Sequence, residues 1–191
     1  ALRKIYKGTM EDTLVAFINQ QETRGSGSRL DVLKHGVELA NIHLDLMYTK
    51  PATTFNQELT ALYHKNIFTV SEEVWASDSE RVDLVIFLNG LAIITLELKC
   101  NAAGQSYQDA IYQYRMERSP KDRLFLWKAG ALVNFAMDLE QVYMCTRLSG
   151  SSTFFLPFNM GCGEGIQVGA GNPILKDNYS VHYMWDDILQ K

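Results

Sequence analysis

Cysteine is scarce in this chain: Cys100, Cys145 and Cys162 are the only three, odd in number and without C-x-x-C spacing. That argues against a disulfide framework and against a zinc site, and a reducing cytoplasm is the expected compartment. No apolar run approaches a membrane span, and the first residues lack a signal-peptide pattern. An excess of one charge is missing too, with 18 basic against 22 acidic residues and a net charge of −4. Bulk charge therefore cannot make this a free-standing nucleic-acid binder. A nuclease that receives DNA from another domain is still allowed, because a carboxylate metal site is acidic until it is loaded. His35, His43, His64 and His182 are scattered, with no H-E-x-x-H, and read as surface or satisfied core residues. The serine-rich stretch 149–153 has no G-x-S-x-G elbow, which speaks against a serine hydrolase. Glycine-rich residues 160–171 match neither G-x-x-x-x-G-K-[ST] nor G-x-G-x-x-G and read as a mobile loop. Without a Walker motif, ATP hydrolysis is not this chain's activity.

What is present is a sequence of 191 residues, 47% hydrophobic, enough for one well-cored domain over 1–191. Its core motif region is 67–147. Two runs rich in Val, Ile and Leu, 82–88 and 91–98, flank Asn89-Gly90, a strong hairpin signal. Into this apolar hairpin the sequence places Asp83, Glu97 and Lys99. Charges in apolar strands are costly unless paired or bound to a metal. Glu97 and Lys99, two apart on a strand, share a face, and Leu96 and Leu98 take the other. Two carboxylates can hold a hard divalent cation such as Mg2+, and a nearby lysine can orient water or neutralise charge on phosphorus. The plainer reading is a strand ion pair, and a lone acidic-x-Lys tripeptide would not displace it. The upstream Asp, the strand context and the following helix shift the balance. That helix is expected over 103–117, ended by Ser119-Pro120. It puts Gln108 and Tyr112 on one face, able to bond phosphate or position the lysine. Arg115 lies on the same helix. Lys121, Arg123 and Arg147 read as solvated charges, and Trp75, Trp127 and Trp185 as core.

Asp83, Glu97-Leu98-Lys99 and Gln108-x-x-x-Tyr112 together resemble the PD-(D/E)XK nuclease superfamily in its branch with a QxxxY motif. Within it the chain resembles the N-terminal nuclease domain of the R subunit of type I restriction enzymes. The phrases VDLVIFLNG, LELK, DAIYQYR, GALVNFAMD, VYMCTRL and TFFLPFN carry that likeness from Arg81 to Asn159. Val82 stands where the motif's proline would be, and Cys100 where Asn is more familiar. The resemblance implies an α/β fold, a central mixed β-sheet flanked by helices. It implies metal-dependent endonucleolytic cleavage of double-stranded DNA, with Asp83, Glu97 and Lys99 catalytic. Mg2+ would sit on Asp83, Glu97 and the Leu98 carbonyl, and Gln108 and Tyr112 would position DNA or the lysine. Apart from the resemblance, Arg115, one turn from Ile111 on the motif helix, is the basic residue expected to touch the DNA backbone. It implies modification and specificity subunits as partners, and an ATP-driven, helicase-like motor on the same polypeptide, so that this chain would be an N-terminal fragment. A further acidic ligand on an early helix is expected, from Glu11, Glu38 or Glu58. A repair-type nuclease of the same superfamily and a catalytically silent DNA-docking module are the alternatives.

Elsewhere a helix is expected over 9–20, a flexible loop over 24–28, short strands at 32–35 and 44–48, and a helix over 56–64. A strand over 67–75, a hairpin of 131–137 with 142–147 and a terminal helix over 182–189 complete the reading. Residues 153–158 read as an aromatic, apolar stretch. Parity constrains the motif hairpin. A two-residue turn with regular pairing from Leu88 and Leu91 would put Asp83 on the face away from Glu97. A three-residue loop pairing Phe87 with Leu91, or a bulge further down, restores one face. The expectation is therefore an irregular hairpin, preferably with the three-residue loop, and Gly90 at positive φ. Truncating Glu97 to alanine is expected to abolish cleavage and leave the fold nearly intact.

Overall fold

The computed structural model describes residues 10–23, 27–39, 41–162 and 170–190, without the side chains of 10–13 and 23. The chain opens with helix α1 (Met10–Thr23) and a short α2 (Arg29–His35), followed by a small hairpin, β1 (Val37–Leu39) with β2 (Ile42–Leu44). Helix α3 (Gln57–His64) leads into β3 (Phe68–Trp75), β4 (Arg81–Leu88) and β5 (Leu91–Leu98). The motif helix α4 (Tyr107–Tyr112) widens into a π turn, Gln113–Glu117, before β6 (Val133–Met137), β7 (Val142–Cys145) and β8 (Leu156–Pro157). Six strands in the order β3-β4-β5-β6-β7-β8 form one mixed sheet, in which only the β5–β6 pair is parallel. The expected α/β architecture is present.

Both faces of the sheet are covered. One packs Val85, Ala136 and Cys145 against Ala110 and Tyr114 of the motif helix region, with Phe125 and Phe155 closing the cluster. The other packs Leu96, Phe135 and Val142 against Val181, Tyr183 and Met184 near the C-terminus. Burying each large apolar side chain is worth about 1.5–3 kcal/mol, so both layers hold β5 in place.

The turn of the motif hairpin is a correction. Leu88 pairs with Leu91, so the loop is Asn89-Gly90 alone, and the preferred three-residue loop does not form. Both residues take positive φ, 50° and 85°, the geometry that a two-residue hairpin turn matching strand twist requires. Asn89 tolerates it because its side chain is occupied, accepting from Ile67 N–H and donating to the Leu46 carbonyl. Pairing is nevertheless irregular. Phe87 faces Ala92 but Ile86 faces Ile94, which leaves Ile93 as the extra residue of a bulge. That single residue restores the parity, and Gly90 has the expected positive φ.

Other elements differ from expectation. Residues 32–35 are not a strand but the end of α2, because Ser28 caps that helix through Asp31 N–H at 3.2 Å. Only Leu44 of 44–48 is in a strand. The motif helix starts at Tyr107 rather than at 103, where a Ser106–Asp109 capping box begins it. The terminal helix is a five-residue π turn, Met184–Ile188, and of residues 153–158 only Leu156–Pro157 form a strand. Trp75, Trp127 and Trp185 are not core: all three are substantially exposed, and Arg81 and Arg147 stack on the first two. Residues 9, 24–26 and 163–169, within the expected first helix and the two expected loops, lie outside the described residues.

Candidate active site

Beyond the bulge the ladder runs Val85 to Thr95 and Leu84 to Leu96, and one further step brings Asp83 level with Glu97. There the backbone ladder gives way to a side chain: Leu98 N–H donates to Asp83 Oδ2 at 2.7 Å. Strand parity changes here too, since Val82 packs with the motif-helix cluster and Leu84 with the opposite one. The carboxylate that the sequence singles out thus stitches the open end of the hairpin.

Glu97 is fully buried. Its Oε1 accepts from Arg118 Nε at 2.8 Å and lies 2.8 Å from Arg118 Nη2, while Oε2 is buried with no hydrogen-bond partner. Burial pushes the Glu97 carboxyl up to about 7, against the opposing pull of Arg118. Asp83 raises it further and Lys99 lowers it, so both charges are felt at Glu97. The structure therefore brings Asp83, Glu97 and Lys99 together at the end of β5. Lys99 is anchored by its own N–H to the Met137 carbonyl at 2.9 Å, continuing the parallel pairing of β5 with β6.

Beneath the motif helix, a buried polar chain fixes the strand that carries Glu97. The Tyr114 hydroxyl meets Thr95 Oγ1 at 2.9 Å, and Thr95 donates to Asn134 Oδ1 at 2.7 Å. Complete burial holds the Tyr114 phenol well above its ordinary range, so it stays a neutral hydroxyl. Cys145 ends the chain, its thiol pushed up to about 12 by burial and so inert as a nucleophile.

Gln108, Tyr112 and Arg115 share one groove of about 450 Å³ with Tyr107, Met116 and Tyr143. Gln108 and Tyr112 are exposed. Arg115 donates to the Thr153 carbonyl at 2.9 Å and sits over Phe155, which ties part of its guanidinium to the protein. Tyr107 and Tyr143 stack with centroids 4.5 Å apart, and Asp138 caps Tyr107 N–H at 3.0 Å. The groove and the motif strands are thereby joined through the β6–β7 turn.

Sequence reasoning did not find Arg118, Glu80 or Gln113. Arg118 is buried and closes the π turn, its N–H reaching the Gln113 carbonyl at 3.0 Å. Such widened turns recur at functional sites, but no local pattern announces them. Glu80 Oε2 lies 3.8 Å from Arg118, and Glu80 Oε2 and Gln113 Oε1 are buried without hydrogen bonds. Of the acids expected from an early helix, Glu58 is exposed, Glu38 pairs with His43, and the Glu11 side chain is outside the described residues. Among the described residues no group of three or more His, Cys, Asp or Glu side chains is placed to hold a metal. The pair Asp83 and Glu97 nevertheless fits a hard cation, because a buried, partnerless carboxylate oxygen is what such an ion satisfies.

Among the described residues no helix is long and apolar enough to cross a membrane. Residues 13–153 match the profile of a protein family described as type I restriction enzyme R protein N terminus. No curated protein and no solved structure matches the chain significantly.

Proposed function

The chain belongs to the family of type I restriction enzyme R protein N termini, and we propose that it acts there as a metal-dependent DNA endonuclease. The observation that carries this is the buried Glu97 carboxylate, one oxygen clamped and the other without a partner, beside Asp83 and Lys99. A strand ion pair that served only stability would saturate both oxygens.

Glu97 Oε2 and Asp83 would hold Mg2+, with the Leu98 carbonyl as a third oxygen ligand. Bound there, the cation would acidify a water and stabilise charge growing on the scissile phosphate. The Lys99 ammonium orients the attacking water and neutralises the phosphate. Asp83 holds the Leu98 backbone and so fixes the spacing between strands β4 and β5 at the site. Tyr114, Thr95 and Asn134 keep the Glu97 strand from slipping. Gln108, Tyr112 and Arg115 line the groove along which DNA would lie.

In the whole subunit an ATP-driven motor would follow this domain on the same polypeptide, acting in the cytoplasm with modification and specificity subunits that read the DNA site. The test is the reassembled enzyme with circular plasmid DNA, Mg2+ and ATP. Double-strand cleavage is expected from the parent and lost in Glu97→Gln and Lys99→Ala, with ATP hydrolysis retained. Cleavage at the parent rate by either variant overturns the assignment. A parent complex that hydrolyses ATP without cutting would identify the domain as a silent docking module.

A further inference from the structure

Arg118 does not spread its N–H groups over both oxygens of Glu97, as bidentate arginine–carboxylate pairs do. Nε and Nη2 converge on Oε1, each at 2.8 Å. Nη2 also donates to the Arg81 carbonyl at 2.9 Å, and Nη1 turns to Glu80 Oε2 at 3.8 Å. The guanidinium is therefore fixed from three sides. Glu97 cannot rotate without breaking the contacts on Oε1, and its enclosed Oε2 is left without any protein donor.

We infer that Arg118 is a positioning residue that makes Glu97 a one-oxygen ligand and so biases the site toward a small octahedral cation. The inference rests on the metal-dependent reading above. Mg2+ demands near-octahedral geometry at about 2.0–2.1 Å and is held by few carboxylates plus water, whereas Ca2+ accepts six to eight oxygens at roughly 2.3–2.6 Å, often both from one carboxylate. A carboxylate whose Oε1 accepts from Arg118 Nε and is crowded by Nη2 at 2.8 Å offers the first arrangement and withholds the second. Simple neutralisation of a buried charge would need no such convergence, and a lysine would serve it as well. The geometric role needs the planar guanidinium.

The test uses the 1–191 chain without DNA, so that no cleavage step enters. Dissociation constants for Mg2+ alone and Ca2+ alone are measured calorimetrically for the parent and for Arg118→Lys, with folding checked by circular dichroism. The ratio of the Ca2+ constant to the Mg2+ constant is expected to fall at least about fivefold in the variant, as freed Oε1 admits bidentate binding. An unchanged ratio in a folded variant overturns the inference and leaves the metal reading standing. Binding of neither cation by the parent removes both. Should the variant not fold, the parent crystallised with Ca2+ decides: Glu97 is expected to bind through Oε2 alone with Oε1 still on Arg118, and both oxygens on the ion would overturn the role.

Discussion

The two ends of the motif hairpin each carry a buried glutamate, and the two are held differently. Near the turn, Glu22 of α1 is fully buried and its carboxylate is saturated. Arg29 Nε takes Oε1, Arg29 Nη2 reaches Oε2 at 3.1 Å, and Arg123 Nη2 reaches Oε2 at 2.7 Å. Arg29 in turn donates to the carbonyls of Ala92 and Ala129, tying α2 to β5 and to the segment before β6. At the open end, Glu97 has one arginine, one idle oxygen and a second carboxylate close by. A buried charge with both oxygens answered is a structural joint. One left half-answered costs stability that folding alone does not require, and such local deficits mark sites where a ligand acts.

The comparison is tested hardest by exchanging function for stability. In the reassembled enzyme, Glu97→Gln should lower the plasmid cleavage rate by more than about a hundredfold, since even outer partners of a metal site are worth that much. Its chemical denaturation midpoint at pH 7 should stay at or slightly above the parent's. The folded protein already raises the Glu97 carboxyl to about 7 with Arg118 in place, so a neutral side chain suits this pocket. Glutamine is the informative change. Alanine would remove the carboxylate that Arg118 Nε donates to and open a void, so the intact fold expected of Glu97→Ala from the sequence gives way to an expected loss of stability. Glu22→Gln should behave the opposite way. It leaves the buried Arg29 charge uncompensated and should lose about 3–5 kcal/mol in urea unfolding, while any folded fraction still binds Mg2+.

How far the sequence carried this picture depends on which residues lie in register with a regular element. Asp83, Glu97 and Lys99 were legible because alternation and Asn89-Gly90 define two strands, and parity then demanded an irregularity. Which irregularity could not be read, since the bulge at Ile93 is set by how β5 meets β6, with the Ile93 carbonyl accepting from Leu132 N–H at 2.9 Å. Arg118 was invisible because its position depends on a π turn. Glu22 was invisible because its partners lie 7 and 101 residues away. The tryptophans were misread because an exposed indole with a stacked arginine has the same composition as a buried one.

The contrast also has a pH signature. The Glu97 carboxyl is raised by burial from 4.5 in the unfolded chain to about 7 in the fold. Between those values the folded protein keeps a proton that the unfolded chain has lost. Its contribution to stability is thus complete below about 4.5 and is lost as pH rises through 7, by up to about 3 kcal/mol. Other carboxylates titrate over part of the same range, so the measurement is the difference between parent and Glu97→Gln in urea unfolding at pH 5 and pH 8. The parent should lose stability relative to the variant on going to pH 8. Mg2+, by favouring the ionised carboxylate, should shrink that loss. A flat difference would mean that Glu97 is as fully answered as Glu22.

The smallest effect belongs to a pair of acids that are held at the surface. His43 on β2 bridges Glu38 Oε1 at 2.8 Å and Asp45 Oδ1 at 3.2 Å across the small hairpin, and these contacts raise its pKa, Glu38 first. A raised histidine stabilises the fold while it is protonated, and the contribution fades as pH climbs through its pKa. In the open, however, water and salt screen each charge, and a pair of this kind contributes little. NMR titration of the His43 ring should give a value above the ordinary histidine range, returning toward that range in Glu38→Gln with Asp45→Asn. Adding about 1 M NaCl should shrink the shift, because the screening length falls to about 3 Å. The Glu97 pH signature, sheltered inside the sheet, should resist the same salt. If both respond alike, solvent reaches Glu97, and the distinction between an enclosed oxygen awaiting a cation and an ordinary surface charge is lost.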